Sequence, residues 1–177
     1  MNLPNKLTVL RMALIPVFLI LALNGQPTIA CLVFIIASLT DFLDGYIARK
    51  YNLVSDFGKL MDPLADKLLV MSALILFVEF GTLPSWMVIV ILAREFIISG
   101  IRTVAASNGK IIAASKWGKF KTIFQMVAII STLLVLLPDK GADVLLDNTL
   151  WLLAFVFTVI SGMDYIIKNR DIFKGEM

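Results

Sequence analysis

Histidine is absent from this chain, and cysteine occurs once, at Cys31. The first absence removes the imidazole that most often moves protons near neutral pH, leaving Asp, Glu, Lys and Tyr for proton transfer and metal ligation. The second excludes a disulfide framework and a metal–thiolate site, because Cys31 has no partner. Charge is scarce as well: 16% of the 177 residues are charged against 59% hydrophobic, and mean hydropathy is +0.91. No soluble domain of this length needs so much apolar surface, so the composition is that of an integral membrane protein. No polar tract or internal repeat marks a second domain, and residues 1–177 are read as one. The formal charge of +3 calls for no nucleic-acid partner; in such a chain the placement of charges matters more than their sum.

What is present in quantity is apolar sequence cut into lengths of about 20 residues, the span of a bilayer core. Helices are expected at 5–24, 28–50, 57–80, 83–107, 116–138 and 145–168. The breaks fall on turn-rich stretches, Asn24-Gly25-Gln26-Pro27, Asn52 to Ser55, Gly81-Thr82-Leu83-Pro84, Ser107-Asn108-Gly109 and Pro138 to Asp143. The fold class is therefore all-α, a polytopic membrane protein with six transmembrane helices. In this arrangement every Lys and Arg except Lys140 lies at, or on a helix leading to, one side. The positive-inside rule then puts both termini in the cytoplasm. The first apolar run has one Lys before it and no small-residue cleavage site, and is read as a retained helix rather than a signal peptide.

Against this apolar background, "DFLDGYIARKYNLVSDFGKLMDPLADK", Asp41 to Lys67, carries five aspartates. Asp41 and Asp44 fall near the cytoplasmic end of helix 2, and Asp62 and Asp66 in the first turns of helix 3. Spacings of three and four put each pair on one helical face. The short connection lets the two faces meet. Four unpaired carboxylates at such depth cost several kcal/mol each, so a positive charge must accompany them. One reading is an ion-pair network using Lys67 and Arg49. The other is a divalent cation, for which oxygen-only ligands suit Mg²⁺ or Mn²⁺ rather than zinc. The small residues Gly45, Ala48 and Gly58 beside the acids favour close approach of backbone or ligand. Pro63 frees the carbonyl of Lys59 within the helix, where a local kink is expected.

The pattern Asp41-x2-Asp44-Gly45-x2-Ala48-Arg49-x8-Gly58-x3-Asp62-x3-Asp66 resembles, without a departure, the signature of the CDP-alcohol phosphotransferases. These are integral membrane enzymes that displace CMP from a CDP-linked lipid with an alcohol. The resemblance implies a two-metal site in which Asp41, Asp44 and Asp62 hold one ion and Asp41, Asp62 and Asp66 the other, with Asp66 as the proposed base. It further implies nucleotide contacts at Gly45, Ala48, Arg49 and Gly58. The opening "LPNKLTVLR" also resembles the family's first segment and suggests Thr8 as a polar contact to CDP, although Thr8 can equally bond its own backbone and Asn5 can serve as an N-cap. A homodimer is expected from the resemblance alone.

The acceptor alcohol should be read by the second half, "AREFIISGIRTVAASNGKIIAASKWGKFKTIFQ", Ala93 to Gln125. Arg94, Ser99 and Arg102 follow one another along helix 4, and Lys119 and Lys121 enter helix 5 from the cytoplasm. Arg offers a planar fork and Lys a point charge to a phosphate. Positive-inside topology by itself accounts for Lys110 and Lys116, but poorly for Arg94 and Arg102. "AREFIISGIR" and "GKFKTIFQ" resemble the bacterial, phosphatidylglycerophosphate-forming branch of the family. That implies CDP-diacylglycerol as donor and sn-glycerol 3-phosphate as acceptor, with Glu95, Thr122 and Gln125 as further pocket members. Siblings acting on inositol phosphate, serine or phosphatidylglycerol are the alternatives. A cation transporter is the alternative from another class, although the acids cluster toward one face and no inverted repeat is found.

Overall fold

The computed structural model describes residues 2–51, 55–109, 112–113, 115–137 and 143–170. Within the helices, the side chains of Phe42, Tyr46, Ala48, Arg49, Asp56, Lys59 and Leu60 lie outside that description. Six α-helices follow one another, and no strand occurs among the described residues: α1 Leu3–Leu23, α2 Pro27–Lys50, α3 Asp56–Glu79, α4 Ser85–Ser107, α5 Lys116–Val135 and α6 Val144–Lys168. Each matches an expected helix to within three residues. The differences have local causes. Pro4 sits in the first turn of α1, where a missing N–H costs nothing, so that helix starts before residue 5. Leu137 precedes Pro138 and is disfavoured in the α region, so α5 stops short of 138. The expected connections at 52–54 and 138–142, like Lys110, lie outside the described residues.

Two of the helix ends show why the glycines stand where they do. Gly25 has φ +70°, and its neighbour Gln26 donates its N–H to the Leu21 carbonyl at 3.0 Å. Gly81 has φ +69°, and Thr82 donates back to the Phe77 carbonyl at 2.9 Å. A left-handed residue closing the last turn onto a carbonyl five positions back is the glycine-terminated helix stop.

The helices fall into two compact units, Met1–Thr82 with Thr132–Gly141, and Leu83–Ser131 with Ala142–Met177. In the first unit α1 packs on α2 and α3. The buried face of α1 runs Pro4, Asn5, Thr8, Arg11, Phe18, Ala22, polar in its first half and apolar in its second. Phe18 meets Phe34 of α2 at a ring-centroid distance of 5.6 Å. Ala30, Ala37, Ala65 and Ala73 are wholly buried, small residues of the kind that let helix backbones approach closely without a hydrophobic driving force. In the second unit Trp117, Phe120 and Phe124 of α5, spaced three and four apart, all stack on Phe157 of α6, and Trp86 of α4 meets Phe155 edge-on.

The outward faces are apolar. Ile20, Leu32, Ile89, Leu145 and Ile167 are each more than half exposed. In α1, α2, α5 and α6 an apolar span long enough to cross a bilayer buries only 22% to 35% of its residues inside the protein. Water would penalise such a surface at roughly 25 cal/mol per Å², whereas hydrocarbon would not. These are features of a membrane protein. In α3 and α4 the apolar run is interrupted by charge, Asp62, Asp66 and Lys67 in one and Arg94, Glu95 and Arg102 in the other.

Candidate active site

In the first unit the carboxylates gather around a residue whose place in the sequence suggests no more than a topological charge. Arg11, with no exposed side-chain surface, donates from Nη1 to Asp41 Oδ1 at 2.6 Å and from Nη2 to Asp44 Oδ2. Its planar fork thus ties both acids of α2 to α1. Asp44 is almost completely buried and lies within electrostatic reach of Asp41 and Asp62, while the Asp41 side chain is 40% exposed. One turn earlier on the same face of α1, Thr8 donates its hydroxyl to Asp62 Oδ1 of α3 and lies near the Pro4 carbonyl at 3.2 Å. Thr8 is therefore wholly buried at the carboxylates. Asp66, one turn beyond Asp62, is exposed.

The entry of α3 is held to α1 by a second set of bonds. Ser55 caps α3, accepting from the Gly58 N–H at 3.0 Å, and its hydroxyl donates to Asn5 Oδ1 at 2.7 Å. Asn5 is accordingly not the cap of α1, which begins at Leu3 after Asn2. It is a clasp between helices. Gly58 is needed for this approach: a Cβ there would stand 3.3 Å from Asp62 Oδ2, 3.3 Å from Ser55 Oγ and 3.4 Å from Asn5 Oδ1. Gly45 is half-buried on α2, and Ala48 and Arg49 continue that helix with side chains outside the described set.

The donor chemistry fits a hard divalent cation. Asp41, Asp44 and Asp62 each use one carboxylate oxygen in the bonds above and have a second, and neither His nor thiolate competes. Among the described residues, no three acidic side chains close on a single point.

In the second unit the cations expected to read an acceptor are partly joined. Arg94 donates from Nη1 to Glu95 Oε1 at 2.8 Å and from Nη2 to Ser161 Oγ of α6 at 2.9 Å. Lys121 of α5, 5% exposed, shares the same Glu95 oxygen. Arg94, Glu95 and Lys121 thus form one part-buried triad across α4 and α5. Ser99 bonds the Glu95 carbonyl of its own helix at 2.7 Å. Arg102 and Lys119 are exposed, with Arg102 in electrostatic reach of the buried Tyr165. Gln125, one turn past Lys121, is 2% exposed, and neither atom of its amide finds a partner among the described residues. Thr122 turns back to the Gly118 carbonyl at 3.0 Å.

Sequence reasoning missed Arg11, Ser55, Ser161 and Gly162. A signal existed for Arg11, an arginine three residues past Thr8 and so on its face of an otherwise apolar helix. Ser55 carried one too, a serine just before the expected start of helix 3 and so an N-cap candidate; for Ser161 and Gly162 nothing in the local pattern distinguishes them.

The family model for CDP-alcohol phosphatidyltransferases matches residues 1–164, and this chain belongs to that family. Among curated proteins it is similar to a Bacillus subtilis protein named CDP-diacylglycerol–glycerol-3-phosphate 3-phosphatidyltransferase, 47% identical over 98% of this chain and 97% of the relative. A Rickettsia bellii protein of the same name is 41% identical over 97% of each. A Mycobacterium tuberculosis protein named "Probable phosphatidylglycerophosphate synthase" is 39% identical over 97% of this chain and 83% of the relative.

Proposed function

We propose that this protein transfers a phosphatidyl group from CDP-diacylglycerol to sn-glycerol 3-phosphate, forming phosphatidylglycerophosphate and CMP in phospholipid biosynthesis. The observation that carries this is 47% identity, end to end, with a relative named for that activity. The acceptor's 1-hydroxyl oxygen bonds to the lipid-proximal phosphorus, the bond from that phosphorus to the CMP oxygen breaks, and CMP leaves with the electron pair. Asp66, exposed on α3, takes the hydroxyl proton or orients the alcohol.

Two divalent ions, Mg²⁺ or Mn²⁺, are the cofactors of this reading. Asp41, Asp44 and Asp62 would hold one and Asp41, Asp62 and Asp66 the other, and when bound they would neutralise the diphosphate and stabilise the leaving phosphate. Support comes from the all-oxygen donor set around Arg11 and Thr8. Arg11 and Thr8 position the acids: Arg11 fixes one oxygen of Asp41 and of Asp44, and Thr8 one of Asp62. Thr8, Gly45, Ala48, Arg49 and Gly58 are the CDP side of the site. Arg94, Ser99, Arg102, Lys119 and Lys121 are the acceptor-phosphate side, with Arg94 and Lys121 at its centre because their guanidinium and ammonium groups converge on one oxygen.

The topology belongs to the same reading. Six spans in one membrane domain place Lys6 and Lys168 on the cytoplasmic side of the cytoplasmic membrane, where the soluble acceptor is, and the enzyme works as a homodimer.

The test is CMP release from CDP-diacylglycerol by purified protein, with glycerol 3-phosphate, inositol phosphate, serine and phosphatidylglycerol compared as acceptors. Release with glycerol 3-phosphate, lost in EDTA and restored by Mg²⁺ or Mn²⁺, is expected. Release only with inositol phosphate would change the acceptor, release only with serine or phosphatidylglycerol, which carry no phosphate monoester, would overturn the assignment of Arg94 and Lys121, and EDTA-resistant turnover would overturn the metals.

A further inference from the structure

The second unit holds Arg94 far more tightly than a charge placed only by topology requires. Both terminal nitrogens of its guanidinium are bonded to protein, Nη1 to Glu95 and Nη2 to Ser161. Its path is walled by two glycines from different helices. A Cβ on Gly118 of α5 would stand 3.3 Å from Arg94 Nη2, and a Cβ on Gly162 of α6 would stand 3.3 Å from Arg94 Cγ. Gly118 lies in the first turn of α5, where its N–H is already used by the capping Ser115 at 3.0 Å. Arg94 Nε is buried without a protein partner among the described residues.

An arginine has five N–H donors in a rigid fork. Two of them are spent on Glu95 and Ser161, which leaves Nε and one hydrogen on each terminal nitrogen for a ligand. Helix packing also explains why alanine would not do at the two glycines. With the guanidinium anchored at both ends, the stem cannot retreat from an added methyl without loosening one of its bonds. Glu95 extends the arrangement by holding the Lys121 ammonium on the same oxygen as Arg94 Nη1, so the spacing of the two cations is set before any ligand arrives. Preorganised charge of this kind lowers the cost of ordering long side chains on binding.

We infer that Ser161, Gly162 and Gly118 are positioning residues for the acceptor phosphate: they build the slot that fixes Arg94, at a set distance from Lys121, to receive it. This rests on the proposed role of Arg94 and Lys121 in acceptor binding.

The experiment measures KM for glycerol 3-phosphate and for CDP-diacylglycerol, together with thermal unfolding in detergent, for Arg94→Ala, Ser161→Ala, Ser161→Thr and Gly162→Ala. Loss of one hydrogen bond to a charged group corresponds to roughly a tenfold change in affinity. Ser161→Ala and Gly162→Ala are therefore expected to raise the acceptor KM about tenfold, with the donor KM unchanged and the protein still folded at the assay temperature. Ser161→Thr, which keeps the hydroxyl, should stay near wild type. If Arg94→Ala raises the acceptor KM while Ser161→Ala and Gly162→Ala leave it alone, the slot is overturned and the phosphate reading stands. If Arg94→Ala itself leaves the acceptor KM unchanged, the phosphate reading fails and the slot with it. Equal rises in both KM values would mark a structural role and overturn the inference.

Discussion

Among single residues, the most consequential side chain is Arg11. A guanidinium with no exposed surface, bonded to two aspartates, is stabilising only while its partners remain. Removing one member of such a buried pair leaves the other uncompensated, at about 3–5 kcal/mol. Arg11→Ala is therefore expected to lower the thermal midpoint in detergent sharply. An unchanged midpoint would show that Asp44 does not need this partner. Arg11→Lys keeps the charge and loses the fork, and should fall between the two. Asp62 behaves differently, because its bond to Thr8 is one of several features at the α3 entry. Asp62→Asn preserves volume and is expected to abolish CMP release with little change in the midpoint; a fully active variant would remove Asp62 from the chemistry. Asp41, Asp44 and Asp62, which the structure joins to Arg11 and Thr8, stood out in the sequence because carboxylates are so costly among apolar neighbours. Arg11 was passed over, because a basic residue was already explained by topology, and its one signal, a place one turn past Thr8, does not say which helix that face meets.

Among the helices, the entry of α3 is a built joint. Ser55 both caps the helix and bonds Asn5 of α1. Losing an N-cap costs typically about 1 kcal/mol, and Ser55→Ala is expected to lower stability by at least that amount, read from the unfolding midpoint. Gly58→Ala should do more to activity than to stability. Its methyl would press on the tips of Asp62, Ser55 and Asn5 rather than on backbone, and side-chain tips can move. A Gly58→Ala protein with wild-type turnover would show that Asp62 tolerates displacement. The helices themselves were legible to within three residues from apolar run length and from Asn-Gly, Gly-Thr and Asn-Gly punctuation. The ends that shifted by two or three residues did so beside prolines, which act by removing a donor or restricting the preceding residue rather than by hydropathy.

Across the molecule as a whole, the outward apolar faces and the one-sided placing of Lys and Arg expected from the sequence make a prediction of orientation. Cys31 is the only cysteine and is buried, so single cysteines can be introduced against a quiet background. In intact cells, a membrane-impermeant thiol reagent is expected to label a Lys140→Cys variant. It should leave Lys6→Cys and Lys168→Cys variants unlabelled until the membrane is opened. Labelling of the last two in intact cells would invert the topology. The two interrupted helices, α3 and α4, carry Asp62 and Asp66 in one and Arg94 and Arg102 in the other, charges that are costly in an apolar helix and mark it as functional.

The apolar surroundings, the helix count and the placing of Asp41 with Asp44 on one helical face could be read from the chain alone, because they follow from composition, run length and a fixed helical period, all local quantities. Packing in three dimensions was needed to show that Arg11 lies between Asp41 and Asp44, that Asn5 clasps Ser55, and that Arg94 threads between Gly118 and Gly162 to reach Ser161. Each of those joins residues on different helices, 30 to 67 positions apart for Arg11–Asp41 and Arg94–Ser161. Their meeting depends on which face of each helix packs inward. In helices apolar all round, no periodicity records that choice; the close fit of small residues makes it.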